Sequence, residues 1–138
     1  MKVSKIEIAR FQLQQACKLY LDGGDLVSML TLAGAAEEIL GVELNRSGGV
    51  SSLKAIHEAE KAKDPSRTYK DTANEANLVR NSLKHFNDPN EQEVEFLPGD
   101  AFVMLSRALD NYGRLSDDFS DPMLEAIYKL QKLAGKHP

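Results

Sequence analysis

The sequence predicts an all-α fold, a four-helix up-and-down bundle with short accessory helices. Apolar residues recur at spacings of three and four along four long stretches, the period of a helix that buries one face. Turn-forming clusters separate the stretches: Asp22-Gly23-Gly24-Asp25, Gly48-Gly49, Asp64-Pro65, Asp88-Pro89-Asn90 and Asp121-Pro122. Only Glu91 to Pro98 alternates, weakly, through Val94 and Phe96, and a single strand would leave its backbone groups without partners.

The first helix is expected from Lys5 to Leu21. Ile6, Ala9, Leu13, Ala16, Cys17 and Tyr20 share one face, while Ile8, Phe11 and Leu19 lie off it and predict a second neighbour. Asp25 suits the N-cap of the next helix. That helix, Leu26 to about Leu44, is the most apolar. Leu26, Met29, Leu30, Ala33, Ala36 and Leu40 form one face, and Leu32, Ala35 and Ile39 form another, so it should be central. Ala33-Gly34-Ala35-Ala36 permits close approach of a neighbour. A short helix, Leu53 to Ala62, stops before Asp64-Pro65. The third long helix is expected over Thr68 to Phe86, burying Tyr69, Ala73, Ala76, Val79, Leu83 and Phe86. Asp100 is the expected N-cap of the fourth, where Phe102, Leu105, Ala108, Leu109 and Tyr112 repeat. Asp121-Pro122 opens a last short helix, since proline suits the first helical position. Leu124, Ile127, Tyr128 and Leu130 would pack it back.

Composition narrows the function. At 138 residues the chain is long enough for one domain, 1–138, with a real core. A net charge of −4 argues against a strongly basic nucleic-acid binder and leaves room for a local basic site. The single cysteine, Cys17, excludes an internal disulfide and a multi-cysteine metal site, and its place on an apolar face marks it as core. No apolar run approaches the ~18 residues of a membrane span, and the first residues have no hydrophobic signal core. No membrane contact and a cytoplasmic location are therefore expected. There is no Glu-x-x-His pair, Gly-x-Gly-x-x-Gly, Walker loop or Gly-x-Ser-x-Gly, so no metal or cofactor is expected. His57, on a short polar helix, and His137, in the tail, have no metal-ligand spacing.

The chemistry concentrates in Arg80-Asn81-Ser82-Leu83-Lys84-His85. Arginine grips phosphate, and histidine moves protons near neutral pH. On a regular helix Asn74, Asn77, Asn81, Lys84 and His85 fall opposite the apolar face, with Arg80 at the border. This is either a solvated face or a surface for a ligand or a second subunit. Arg80 and His85 are five apart, roughly 140° around a regular helix. A site using both requires a distorted helix end or a second copy of the helix across a two-fold axis. Glu37 sits in the apolar face of the second helix, where a carboxylate is costly unless paired. Arg80 is its best candidate partner, and such a pairing would fix the arginine for phosphate recognition.

With these residues in place, the chain resembles the HEPN (higher eukaryotes and prokaryotes nucleotide-binding) family. These all-helical domains carry an Arg, four to six residues and a His on their third main helix. Arg80 to His85 matches that spacing, and Asn81 matches the polar residue typical after the Arg. The resemblance covers roughly Lys5 to Leu115, and Leu32 to Gly41 is similar to the second helix of uncharacterised bacterial HEPN-like proteins. It implies a homodimeric, metal-independent endoribonuclease in which the RNA 2′-OH attacks the adjacent phosphate. His85 would be general base or acid, Arg80 would stabilise the charge on phosphate, and Asn81 would orient one of them. Lys84, Asn77 and Glu37 would contribute to substrate binding. Many relatives are toxins, phage-defence proteins or RNA-processing factors, which adds an antitoxin-like protein as a possible partner. Toxins paired with a nucleotidyltransferase often carry a tyrosine two residues after the His, where this chain has Asn87. Lys54, Lys61, Lys63, Arg67 and Lys70 form a nearby basic group for RNA. Two other readings stand beside this one: a non-catalytic module that binds a nucleotide or a protein, and a purely structural helical dimer.

Overall fold

The computed structural model describes residues 1–135; His137 lies outside the described residues. Among the described residues the chain forms seven helices and no strand: α1 Lys5–Leu21, α2 Leu26–Arg46, α3 Ser52–Lys63, α4 Tyr69–Ala76, α5 Leu78–Lys84, α6 Pro98–Leu115 and α7 Asp121–Gly135. The segment read as weakly alternating, Glu91 to Leu97, is irregular.

The buried apolar core comes from α1, α2, α6 and α7 alone. Ala9, Leu13, Ala16, Cys17 and Tyr20 face inward from α1, as their spacing requires. The α2 helix packs against both α1 and α6, so its two apolar faces meet two neighbours. Lys129 ties α7 back to α1: its Nζ lies 4.3 Å from the Tyr20 ring centroid and donates to the Tyr20 carbonyl at 3.0 Å. By contrast α3, α4 and α5 form a polar layer over α2 and α6, anchored by partly buried Val79 and Leu83.

Four expectations need correction. The third long helix is broken at Asn77 into α4 and α5, and it ends at Lys84, one residue before His85. Tyr69 and Phe86, expected inside, are 43% and 68% exposed, because the break changes which residues face α2. In α7 the buried residues are Met123 and Ala126, while Leu124 and Tyr128 point to solvent. Asp100 does not cap α6 but sits in its first turn, where its carboxylate accepts from the Leu97 N–H at 2.9 Å; Pro98 takes the first helical position.

Helix starts elsewhere follow local chemistry. Ser4, Asp25, Ser51 and Thr68 each accept a backbone N–H from the first turn of α1 to α4. Thr68 and Asp71 form a reciprocal capping box. The Ser28 hydroxyl, then the Val27 N–H, holds the Asp25 carboxyl below its ordinary range. The Thr68 backbone and side chain do the same for Asp71.

Gly34 has a specific role. A Cβ there would lie 2.6 Å from Cδ and 2.8 Å from Cγ of Arg80, so the arginine stem crosses α2 where only glycine leaves room. The close approach that the small-residue run allows is made by a side chain rather than by a helix backbone.

Two predictions follow from these contacts. Gly34→Ala would gain ~1 kcal/mol of helix propensity on an exposed surface. Here it overpacks a stem whose far end is fixed, so urea unfolding should show a net loss of about 1–3 kcal/mol. For the capping carboxylates, a folded pKa held below the unfolded value gives stability that is present above the unfolded pKa and lost as pH falls through the folded one. Stability should therefore be insensitive to Asp25→Asn and Asp71→Asn well below pH ~3.9 and sensitive to them near neutrality, as read by denaturation at both pH values.

Candidate functional site

Glu37 is the centre of the polar interior. It is 3% exposed on α2 and receives two guanidinium groups. Arg80 of α5 reaches Oε2 through Nη1 at 3.2 Å, and Arg107 of α6 reaches Oε1 through Nη2 at 3.0 Å. One carboxylate therefore joins three helices. A charge this deep is destabilising alone, and each oxygen is satisfied by a cation that brings its own hydrogen bonds. Two arginines on one glutamate leave a surplus positive charge.

Arg107 also explains the helix break. Its Nη1 donates to the Ala76 carbonyl and its Nη2 to Asn77 Oδ1, both at 3.0 Å. A guanidinium at the C-terminus of α4 satisfies its last carbonyl, that of Ala76, and favours the dipole. Asn77 adopts φ −106 and ψ 6, the sparsely populated bridge region. The kink thus has an identified cause, a side chain inserted at the backbone. Asn111, fully buried on α6, completes the frame. It donates to the Glu37 carbonyl at 3.1 Å and accepts from the Ser52 N–H at 2.7 Å, locking the start of α3.

Arg80 opens onto a cleft of about 180 Å³ lined by Glu37, Glu38, Asn45, Ser51, Tyr69 and Arg80, among others. Glu38 stands 4.0 Å from both Arg80 Nη1 and Lys84 Nζ, a looser and more exposed pairing than that of Glu37. Arg80 Nε is buried and lacks a partner among the described residues. With Arg80, Arg107 and Lys84 set against Glu37 and Glu38, the cluster suits an anion that competes with Glu38.

The structure therefore brings together Arg80, Glu37 and Asn81, whose Oδ1 is 3.5 Å from Arg80 Nη2, at the limit of a hydrogen bond. Lys84 joins through Glu38. Asn77, expected on the polar outer face, is 7% exposed with its side-chain oxygen occupied by Arg107, so its place is in the frame. His85 is exposed, in extended backbone at φ −121 and ψ 139, and does not line the Arg80 cleft.

Of the basic group, Arg67 is committed to Glu60 at 3.0 Å and to Glu75. Lys54 and Lys61 line a second cleft, of about 410 Å³, with His57, Asn45 and Tyr69. Arg107 and Asn111 were not singled out by sequence reasoning. Their signal was present: both share the helical face of Met104 and Ala108, as Glu37 interrupts the face of α2.

Comparison with protein-family models, curated proteins and solved structures finds no match for this chain.

Arg107→Met should cost about 3–5 kcal/mol, because it removes one partner of a buried pair and strands Ala76 and Asn77. Arg80→Met should cost less, about 1–3 kcal/mol, since Glu37 keeps Arg107. Equilibrium denaturation of both variants checks the order.

Proposed function

We propose that the chain is a HEPN-like, metal-independent endoribonuclease acting as a homodimer. The observation that carries this reading is Arg80 itself, held by the buried Glu37 carboxylate at the edge of a cleft and five residues before a histidine. The RNA 2′-OH attacks the adjacent phosphate, Arg80 meets the charge that grows on its oxygens, and His85 transfers a proton. Asn81 orients Arg80, and Lys84 adds positive field. The products carry 2′,3′-cyclic phosphate and 5′-hydroxyl ends. The all-helical fold is compatible with that family, although the motif sits on α5 in the polar layer and the fourth helix of the apolar core is α7.

Two features support a dimer. His85 lies beyond the last residue of α5, so the angular separation of a regular helix does not govern it and does not by itself call for a second copy. Because it stands outside the cleft, a second copy is the simplest source of the histidine that faces Arg80. Leu78 and Phe86, 63% and 68% exposed, flank the motif and would be covered by such a pairing. A toxin, phage-defence or RNA-processing role, with an antitoxin-like partner for the first, belongs to the same proposal. The placement of His85 also favours a second reading, a non-catalytic module that binds a nucleotide or a protein at the Arg80 cleft.

Single-stranded RNA incubated with the protein in EDTA should be cut, leaving cyclic phosphate ends. Arg80→Ala and His85→Ala should each lower the single-turnover rate by ~100-fold or more. Cleavage unchanged in both variants contradicts the site. Saturable RNA binding without cleavage selects the second reading.

A further inference from the structure

A second histidine is oriented more tightly than the one in the motif. His57 Nδ1 lies 3.0 Å from Thr72 Oγ1, and that hydroxyl lies 2.8 Å from Glu60 Oε2. Thr72 is 1% exposed. Arg67 Nε holds the same carboxylate oxygen at 3.0 Å. The Thr72 hydrogen bond, and then Arg67, keep the Glu60 carboxyl below its ordinary range.

Proton accounting fixes the imidazole tautomer. An ionised Glu60 only accepts, so the Thr72 hydroxyl must donate to it. Thr72 Oγ1 then accepts from His57, which places the ring proton on Nδ1. In the neutral ring Nε2 then carries the lone pair, and among the described residues it has no hydrogen-bond partner. A base whose far nitrogen is held by a hydroxyl and a carboxylate has the arrangement used for proton abstraction. The Tyr69 ring meets the imidazole edge-on, with centroids 5.4 Å apart, and fixes its plane.

The surroundings suit a phosphodiester. Lys54, His57 and Lys61 follow at spacings of three and four, so they share one face of α3. All three line the 410 Å³ cleft, with Glu58 the one acidic group among its lining residues. Asn45 and Tyr69 line this cleft and the Arg80 cleft alike, so the two adjoin in one protomer.

We propose that His57 is the proton acceptor for an RNA 2′-hydroxyl in this joint groove, with Lys54 and Lys61 holding the flanking phosphate. This rests on the ribonuclease reading and divides its proton transfers between two histidines. The 2′-OH proton passes to His57 Nε2, and the 2′-oxygen bonds to phosphorus. The bond from phosphorus to the 5′-oxygen breaks, and that oxygen leaves with a proton from His85. Solvent returns a proton to His85 and takes one from His57. Thr72 is a positioning residue that acts through the imidazole.

The test is the pH profile of single-turnover RNA cleavage by the wild type, His57→Ala, His85→Ala and Thr72→Val, with folding checked by circular dichroism. His57→Ala should lose ~100-fold or more and flatten the acidic limb, and His85→Ala should flatten the alkaline limb. Thr72→Val should lose less and displace the acidic limb. Cleavage by His57→Ala within about twofold of wild type and with both limbs intact overturns the assignment and leaves the ribonuclease reading standing. If the wild type does not cleave, that reading falls by itself, and ¹⁵N spectra of the imidazoles decide the site. A neutral His57 protonated at Nδ1 whose signals move on titration with uridine 3′-phosphate, and stay still in Lys54→Glu/Lys61→Glu, supports it. The other tautomer, or signals that ignore the nucleotide, overturns it.

Discussion

The arrangement of α2, α5 and α6 depends on one buried carboxylate shared by two arginines. Glu37 cannot lie in an apolar face without cations, and the cations come from two other helices. Arg107 fixes α6 against α2 and reaches past the carboxylate to break α4 from α5. Arg80 lays its stem over Gly34 and brings its charged end to the edge of a cleft. Asn111 extends the same frame to α3 through the Glu37 carbonyl. The apolar core alone would stack α1, α2, α6 and α7 without specifying where the three polar-layer helices sit. The charged centre supplies that specification, as buried polar groups do where each partner is satisfied.

The same constraint shapes the chemistry. A guanidinium held at one end by a carboxylate, with its stem in a glycine notch, has little freedom to lose when a phosphate arrives. An anion entering the cleft would have to displace Glu38 from Arg80 and Lys84, since two carboxylates line it beside the one arginine. Proton transfer is a separate matter, since the motif histidine stands outside this frame. His57 is held by the Thr72 hydroxyl, itself bonded to Glu60, and meets the edge of Tyr69. In the proposed site the Arg80 cleft meets the phosphate and the His57 cleft takes a proton, and Asn45 and Tyr69 line both.

The sequence made the long elements legible because burial imposes a period. Ala9, Leu13 and Ala16 or Met29, Leu30 and Ala33 can face inward in only one way. It also exposed Glu37, since a lone carboxylate in an apolar stripe demands a partner. What it hid was tertiary. The break at Asn77 is held by Arg107, thirty residues away, and the low helix propensity of Asn74, Asn77 and Asn81 marks the region without placing the break. That break turned Tyr69 outward and Asn77 inward, reversing two assignments made for one straight helix. His57 was passed over because its link to Glu60, three residues on in the same helix, runs through Thr72, which reaches it only when α3 and α4 pack.

A double-mutant cycle between Glu37 and Arg107 tests most directly that this shared carboxylate organises the structure. Stability would be measured for the wild type, Glu37→Gln, Arg107→Met and the double variant. The account predicts a coupling of about 2–3 kcal/mol, the upper part of the range for residues in one buried network. Effects that add to within ~0.5 kcal/mol, as for independent sites, would contradict it.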